Sequence, residues 1–172
     1  MLKTMPFFMI VLILSIGATF AYLKLAPSQI PECQKDVTCF TKASEDKKLV
    51  KNAQDAIKNG NYTIEGYSVE AEYMTSTLSS YITPKEVTDY TTTLLPQKAS
   101  KSDSKIKFII YENDKESPNK KSDNCKLFAG YLVYEFYYQE QLAYKIQIDF
   151  LEEDKEEIKK RIDCVVESFM AL

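Results

Sequence analysis

Alternation of apolar and polar positions is strongest between Lys126 and Phe150, where KLFAGYLVYEFYYQEQLAYKIQIDF reads as two strands around Gln139-Glu140-Gln141. A three-residue connection there predicts Tyr138 opposite Leu142, Phe136 opposite Tyr144, Tyr134 opposite Ile146 and Leu132 opposite Ile148. One face is then almost wholly apolar, continuing through Phe128 and Phe150. On the other face the same register pairs Glu135 with Lys145, and sets Tyr137 by Ala143, Val133 by Gln147 and Tyr131 by Asp149. A slip of one residue would bring Phe136 against Lys145, so both faces specify the pairing together.

Three helical patterns surround this ribbon. In SEDKKLVKNAQDAIKNG, Leu49, Val50, Ala53, Ala56 and Ile57 form one stripe, with Ser44 as the expected N-cap and Gly60 as the left-handed stop. In TPKEVTDYTTTLLP, Thr83 caps, Pro84 takes the first helical position, Glu86 completes a capping box and Pro96 ends the segment. Val87, Tyr90 and Leu94 give this short helix one apolar side. The last segment, EEDKEEIKKRIDCVVESFMAL, carries a stripe of Ile158, Ile162, Val165, Val166, Phe169 and Leu172. Its acidic start suits the helix dipole, and the even-numbered face of the ribbon is the nearest surface that can cover its stripe.

Two further strands are expected. KIKFIIY places Ile106, Phe108 and Ile110 on one parity, and ENDKESPNKKSDN after it is a solvated loop. YTIEGYSVEAEY changes phase at Gly66, which predicts either a tight hairpin at Glu65-Gly66 or one strand with a bulge. The fold class is α+β, an antiparallel sheet packed against helices, with a C-terminal amphipathic helix.

The N-terminus has a different pattern: Lys3 and Lys24 flank an uncharged run from Thr4 to Leu23. At 1.5 Å per residue about 20 helical residues cross a bilayer core of about 30 Å, so an uncleaved anchor is expected. The alternative is a secretory signal cut after Ala21. The organisation is then an anchor or signal over 1–26, a connector with a Cys pair over 27–42, and one domain over 43–172. The domain is expected to be extracytoplasmic, because long domains translocate largely regardless of flanking charge; secretion after cleavage and a cytoplasmic placement are the alternatives.

Composition narrows the chemistry. With 22 basic and 25 acidic residues among 172 the net charge is −3, which gives no field to attract nucleic acid. Histidine is absent, which removes Ser-His-Asp and Cys-His pairs and the commonest zinc ligand. No catalytic residue, cofactor or metal site is therefore expected. Cys33, Cys39, Cys125 and Cys164 are candidates for disulfides, most simply Cys33 with Cys39 and Cys125 with Cys164, although three pairings are open. Cys164 lies off its helix's stripe and is expected to point sideways or outward.

The element order resembles the PsbP/Mog1-like domains, and less closely the NTF2-like domains of membrane-anchored secretion-system subunits. That resemblance covers about residues 61–172 and implies only a fold, since no motif carries a functional residue across. The leading expectation for function is a membrane-tethered, non-enzymatic assembly, accessory or protein-binding module of the cell envelope. Its partner face is expected at Tyr131, Val133, Tyr137 and Lys145, where tyrosines offer area with a polar tip. A carrier of a small apolar ligand, or a thiol-redox protein, is the alternative.

Overall fold

The computed structural model describes residues 39–96, 102–118 and 128–172. The expected membrane segment, and Cys33 and Cys125, lie outside those residues. Five strands form one mixed sheet in the order β1-β5-β4-β3-β2. They are β1 (Cys39–Ala43), β2 (Tyr62–Val69), β3 (Ser104–Glu112), β4 (Gly130–Tyr138) and β5 (Gln141–Phe150). Four helical segments accompany them: α1 (Lys47–Lys58), α2 (Leu78–Tyr81), α3 (Pro84–Thr93) and α4 (Lys155–Met170).

The meander β3-β4-β5 forms as the alternation requires. Phe136 faces Tyr144, Glu135 faces Lys145, Tyr134 faces Ile146 and Leu132 faces Ile148. The connection itself differs from the expected three-residue loop. Tyr138 pairs with Gln141, and a register irregularity falls between Phe136 and Tyr137. The turn is thus two residues, Gln139 and Glu140, both at positive φ (47° and 65°) as a hairpin matching the strand twist demands. The bulge absorbs the extra position, so Leu142 rather than Ala143 lies beside Tyr137, and Ala143 is buried.

Two elements depart from the expected order. Residues 39–43, which run from the end of the expected connector into the domain, are a strand, antiparallel to β5 with Thr41 opposite Ile146. β2 runs parallel to β3 in unbroken register from Tyr62↔Ser104 to Val69↔Tyr111, so it is neither a hairpin nor bulged. The sheet is consequently mixed and not purely antiparallel. A parallel pair needs a long crossover, and α2 and α3 lie within it.

The caps set where the helices stand. Asp46, not Ser44, accepts from Lys48 N at 2.9 Å and Leu49 N at 3.2 Å at the start of α1. Gly60 takes the left-handed position after its end, with φ 74°. Thr83 and Glu86 form the reciprocal capping box of α3, with Pro84 in the first turn. Asp154 caps α4 by accepting from Glu157 N at 2.9 Å.

All the helices feed one core on one face of the sheet. Leu49, Ala53 and Ile57 of α1, Leu78 of α2, Val87 of α3 and Ile158, Ile162, Val165 and Phe169 of α4 join Leu132, Tyr134, Phe136, Tyr144, Ile146 and Ile148. Phe136 stacks on Phe169 with centroids 4.1 Å apart. Gln54 Nε2 donates to Phe169 O at 2.8 Å, tying α1 to α4. The Tyr134 hydroxyl, buried in this layer, finds Thr91 Oγ1 at 2.9 Å, so its polar tip is satisfied.

Candidate functional site: the open face of the sheet

Strand pleating sends alternate side chains away from the helices, and the register aligns those of neighbouring strands into rows. Phe40 lies beside Gln147, Gln147 beside Val133, Val133 beside Ile109 and Ile109 beside Tyr67. This row crosses all five strands. It begins and ends on exposed aromatics, Phe40 at 65% and Tyr67 at 56%, while Val133 at its centre is only 7% exposed.

The row on one side is charged: Lys42, Lys145, Glu135, Lys107 and Glu65 are successive neighbours. Lys145 Nζ stands 2.8 Å from Glu135 Oε1, and Lys107 Nζ 3.5 Å from Glu65 Oε1. On the other side, Tyr131, Tyr111 and Val69 are neighbours, and the two tyrosine rings stack with centroids 4.6 Å apart. A shallow depression of about 250 Å³ opens among Tyr67, Lys107, Ile109, Val133 and Glu135.

Glu135 is the electrostatic hub of this face. It accepts from the Tyr137 hydroxyl at 2.7 Å as well as from Lys145. Burial pushes its carboxyl up, yet the hydrogen bonds from Lys145 and Tyr137 outweigh burial and hold it below the usual carboxylate range. That same hydrogen bond to Glu135, with burial second, pushes the Tyr137 phenol up to about 12. Lys107 Nζ also sits 5.4 Å from the centroid of the Tyr137 ring, a cation–π distance. Two of the three lysines of the charged row are thus paired with carboxylates, and the apolar row beside it is open chiefly at its two aromatic ends, Phe40 and Tyr67.

Tyr131, Val133, Tyr137 and Lys145 do share this face, as their parity predicts. Sequence reading missed Phe40, Glu65, Tyr67, Lys107, Ile109 and Tyr111. The odd parity of KIKFIIY could have supplied three of them; β1 and β2 could not be placed without knowing which strands they join.

A second polar cluster stands at the far end of β3. Glu112, 7% exposed, accepts from Ala71 N at 3.0 Å, Thr77 N at 2.9 Å and Thr77 Oγ1 at 3.2 Å. Asp114 accepts from Glu72 N at 2.9 Å and Tyr73 N at 2.6 Å. Burial raises the Glu112 pKa, but these donors win and lower it overall. The cluster pins the segment 70–77 to the sheet and has the geometry of a structural clamp. Among the described residues, no group of three or more Cys, Asp or Glu is arranged to hold a metal ion.

The cysteines depart from their expected arrangement. Cys39 is a free thiol on the helix-facing parity of β1, so the local pair with Cys33 does not form. Burial, with a smaller contribution from Asp149, pushes its pKa up to about 11. Cys164 is 1% exposed instead of pointing outward, because the buried arc of α4 extends to Cys164 and Ser168 beyond the apolar stripe.

No family model, curated protein or solved structure matches this chain.

Proposed function

We propose that this chain is a membrane-tethered, non-enzymatic protein-binding module of the cell envelope, and that it docks its partner on the open face of the sheet. The observation that carries the reading is the row Phe40–Gln147–Val133–Ile109–Tyr67, which the described helices leave uncovered while they fill the opposite face. A sheet covered on one side with aromatics at the rim of the other offers area and polar tips together, the composition enriched at protein interfaces. The uncharged run from Thr4 to Leu23 supports the tether. A disulfide between Cys164 and Cys125, the simplest pairing for that cysteine, belongs to the same reading and fits an oxidising location. The raised pKa of Cys39 argues against a thiol-redox role, since little thiolate forms near neutral pH. The aromatic side chains that fill the space between sheet and helices leave the ligand-carrier reading without a favourable observation.

The test is co-isolation from cells with Phe40→Ser and Tyr67→Ser combined in the full chain. Both side chains are exposed, so the variant keeps its fold and circular-dichroism spectrum while losing its co-isolating protein. An unchanged set of co-isolating proteins would remove the open face from the account.

A further inference from the structure

We infer that the exposed side of α1 is a docking surface for an anionic lipid bilayer. The inference rests on the membrane tether proposed above, and it starts from which lysines have partners. Among the described residues, every lysine from Lys85 to Lys159 stands in an ion pair, and so does Arg161. Those without one are Lys160, Lys42 and the lysines of α1: Lys47, Lys48, Lys51 and Lys58.

Helix geometry gathers the α1 lysines on one side. At about 100° per residue they fall within an arc of about 100°, opposite the buried stripe of Leu49, Ala53 and Ile57. All four are exposed, and the only carboxylate in the same arc is Asp55. The arc is thus net positive on a chain whose overall charge is −3. Helix stability does not account for this. Lys47 and Lys48 occupy the first turn, where the helix dipole disfavours cations, and the carboxylate of the N-cap Asp46 is engaged by Lys48 N and Leu49 N.

Position and chemistry select the occupant. Residues 24–38 separate the uncharged run Thr4–Leu23 from β1, and a stretch of that length reaches at most about 50 Å. Only Ser44, Glu45 and Asp46 lie between β1 and α1, so the tether keeps this helix close to the bilayer. Each lysine brought to an anionic bilayer surface strengthens association about fivefold. Along the arc opens a depression of about 490 Å³, whose lining includes Lys47, Lys51 and Lys58 together with the apolar Ala43, Val50 and Leu172. Ammonium groups beside apolar carbon suit an anionic lipid headgroup and its glycerol better than a hydrated acidic polypeptide. Because α1 packs on the core side of the sheet, this contact turns the open face away from the lipid.

The experiment uses the full chain reconstituted in vesicles of phosphatidylcholine, alone or mixed with phosphatidylglycerol. A membrane-impermeant amine-acylating reagent is read lysine by lysine by mass spectrometry, with the exposed Lys85 and Lys160 as internal references. Relative to these, Lys47, Lys48, Lys51 and Lys58 react severalfold more slowly on the phosphatidylglycerol vesicles, and high salt abolishes the difference. Lys47→Gln with Lys51→Gln keeps the circular-dichroism spectrum and removes most of the protection at Lys48 and Lys58. Equal relative rates on the two vesicle types overturn the inference, as does protection that survives the double substitution. Slowing by soluble polyglutamate without slowing by the anionic vesicles assigns the surface to an acidic polypeptide and overturns the lipid. Alkaline carbonate extraction of the same vesicles reads the tether separately. A chain that stays in the membrane with its α1 lysines unprotected leaves the tether standing and refutes the lipid contact. One that is extracted, yet was protected beforehand, refutes the tether and supports the contact.

Discussion

The ring of Phe108 lies against Gly66 of the neighbouring parallel strand, so closely that a Cβ at position 66 would come within 2.6 Å of three ring carbons. Gly66 is thus a place where one side chain lies across another strand's backbone. Gly66→Ala is expected to force the Phe108 ring out of its 5.6 Å stack with Tyr134 and to destabilise the domain by ~1–3 kcal/mol. Chemical denaturation measures this. A midpoint equal to that of the unsubstituted chain would show that the ring yields at no cost.

The hairpin turn gives the opposite direction. Gln139 and Glu140 hold left-handed backbone that L residues adopt at a cost, and Asn-Gly is the sequence suited to it. Gln139→Asn with Glu140→Gly is expected to stabilise by about 1 kcal/mol, less whatever the Lys105–Glu140 ion pair contributes. A lower melting temperature for the double variant would contradict the turn assignment.

Glu112 links the segment 70–77 to β3. Its pKa is lowered in the fold, so its contribution to stability is present above the unfolded carboxylate pKa and is lost as pH falls through the depressed folded value. Limited proteolysis within 70–77 is expected to accelerate with acidification over that range. Glu112→Gln should show the fast pattern already at neutral pH, with a loss of ~1–3 kcal/mol for the buried acceptor. A pH-independent cleavage rate would mean that the clamp does not hold the segment.

Cysteine chemistry separates two thiol environments. With its pKa raised from 9.0 to about 11, Cys39 carries roughly a hundredfold less thiolate at neutral pH than an ordinary thiol, and alkylation should slow accordingly. Cys164 should react only after reduction and unfolding. Rapid labelling of Cys164 without reductant would remove the disulfide from the account.

Much of the fold is legible because its strongest signals are local or symmetrical. The capping box at Thr83 and Glu86 needs four consecutive residues, and the pairing of Glu135 with Lys145 is fixed by two faces at once. What escaped depends on contacts distant in sequence. The short β1, with Thr41 opposite Ile146, carries no alternation of its own. The phase change in β2 arises because Phe108 occupies the space a side chain at 66 would need. The open face was half visible for the same reason: Tyr131 and Val133 sit in a readable hairpin, whereas Phe40 and Tyr67 reach the row only through the strand order.

The most direct test of that face is photo-cross-linking in intact cells, with the reactive residue placed in turn at Tyr67, at Ile109 and, on the helix side, at Lys51. The account predicts one discrete adduct shared by positions 67 and 109 and missing from position 51. Adducts of equal yield from all three positions, or none from 67 and 109, would contradict it.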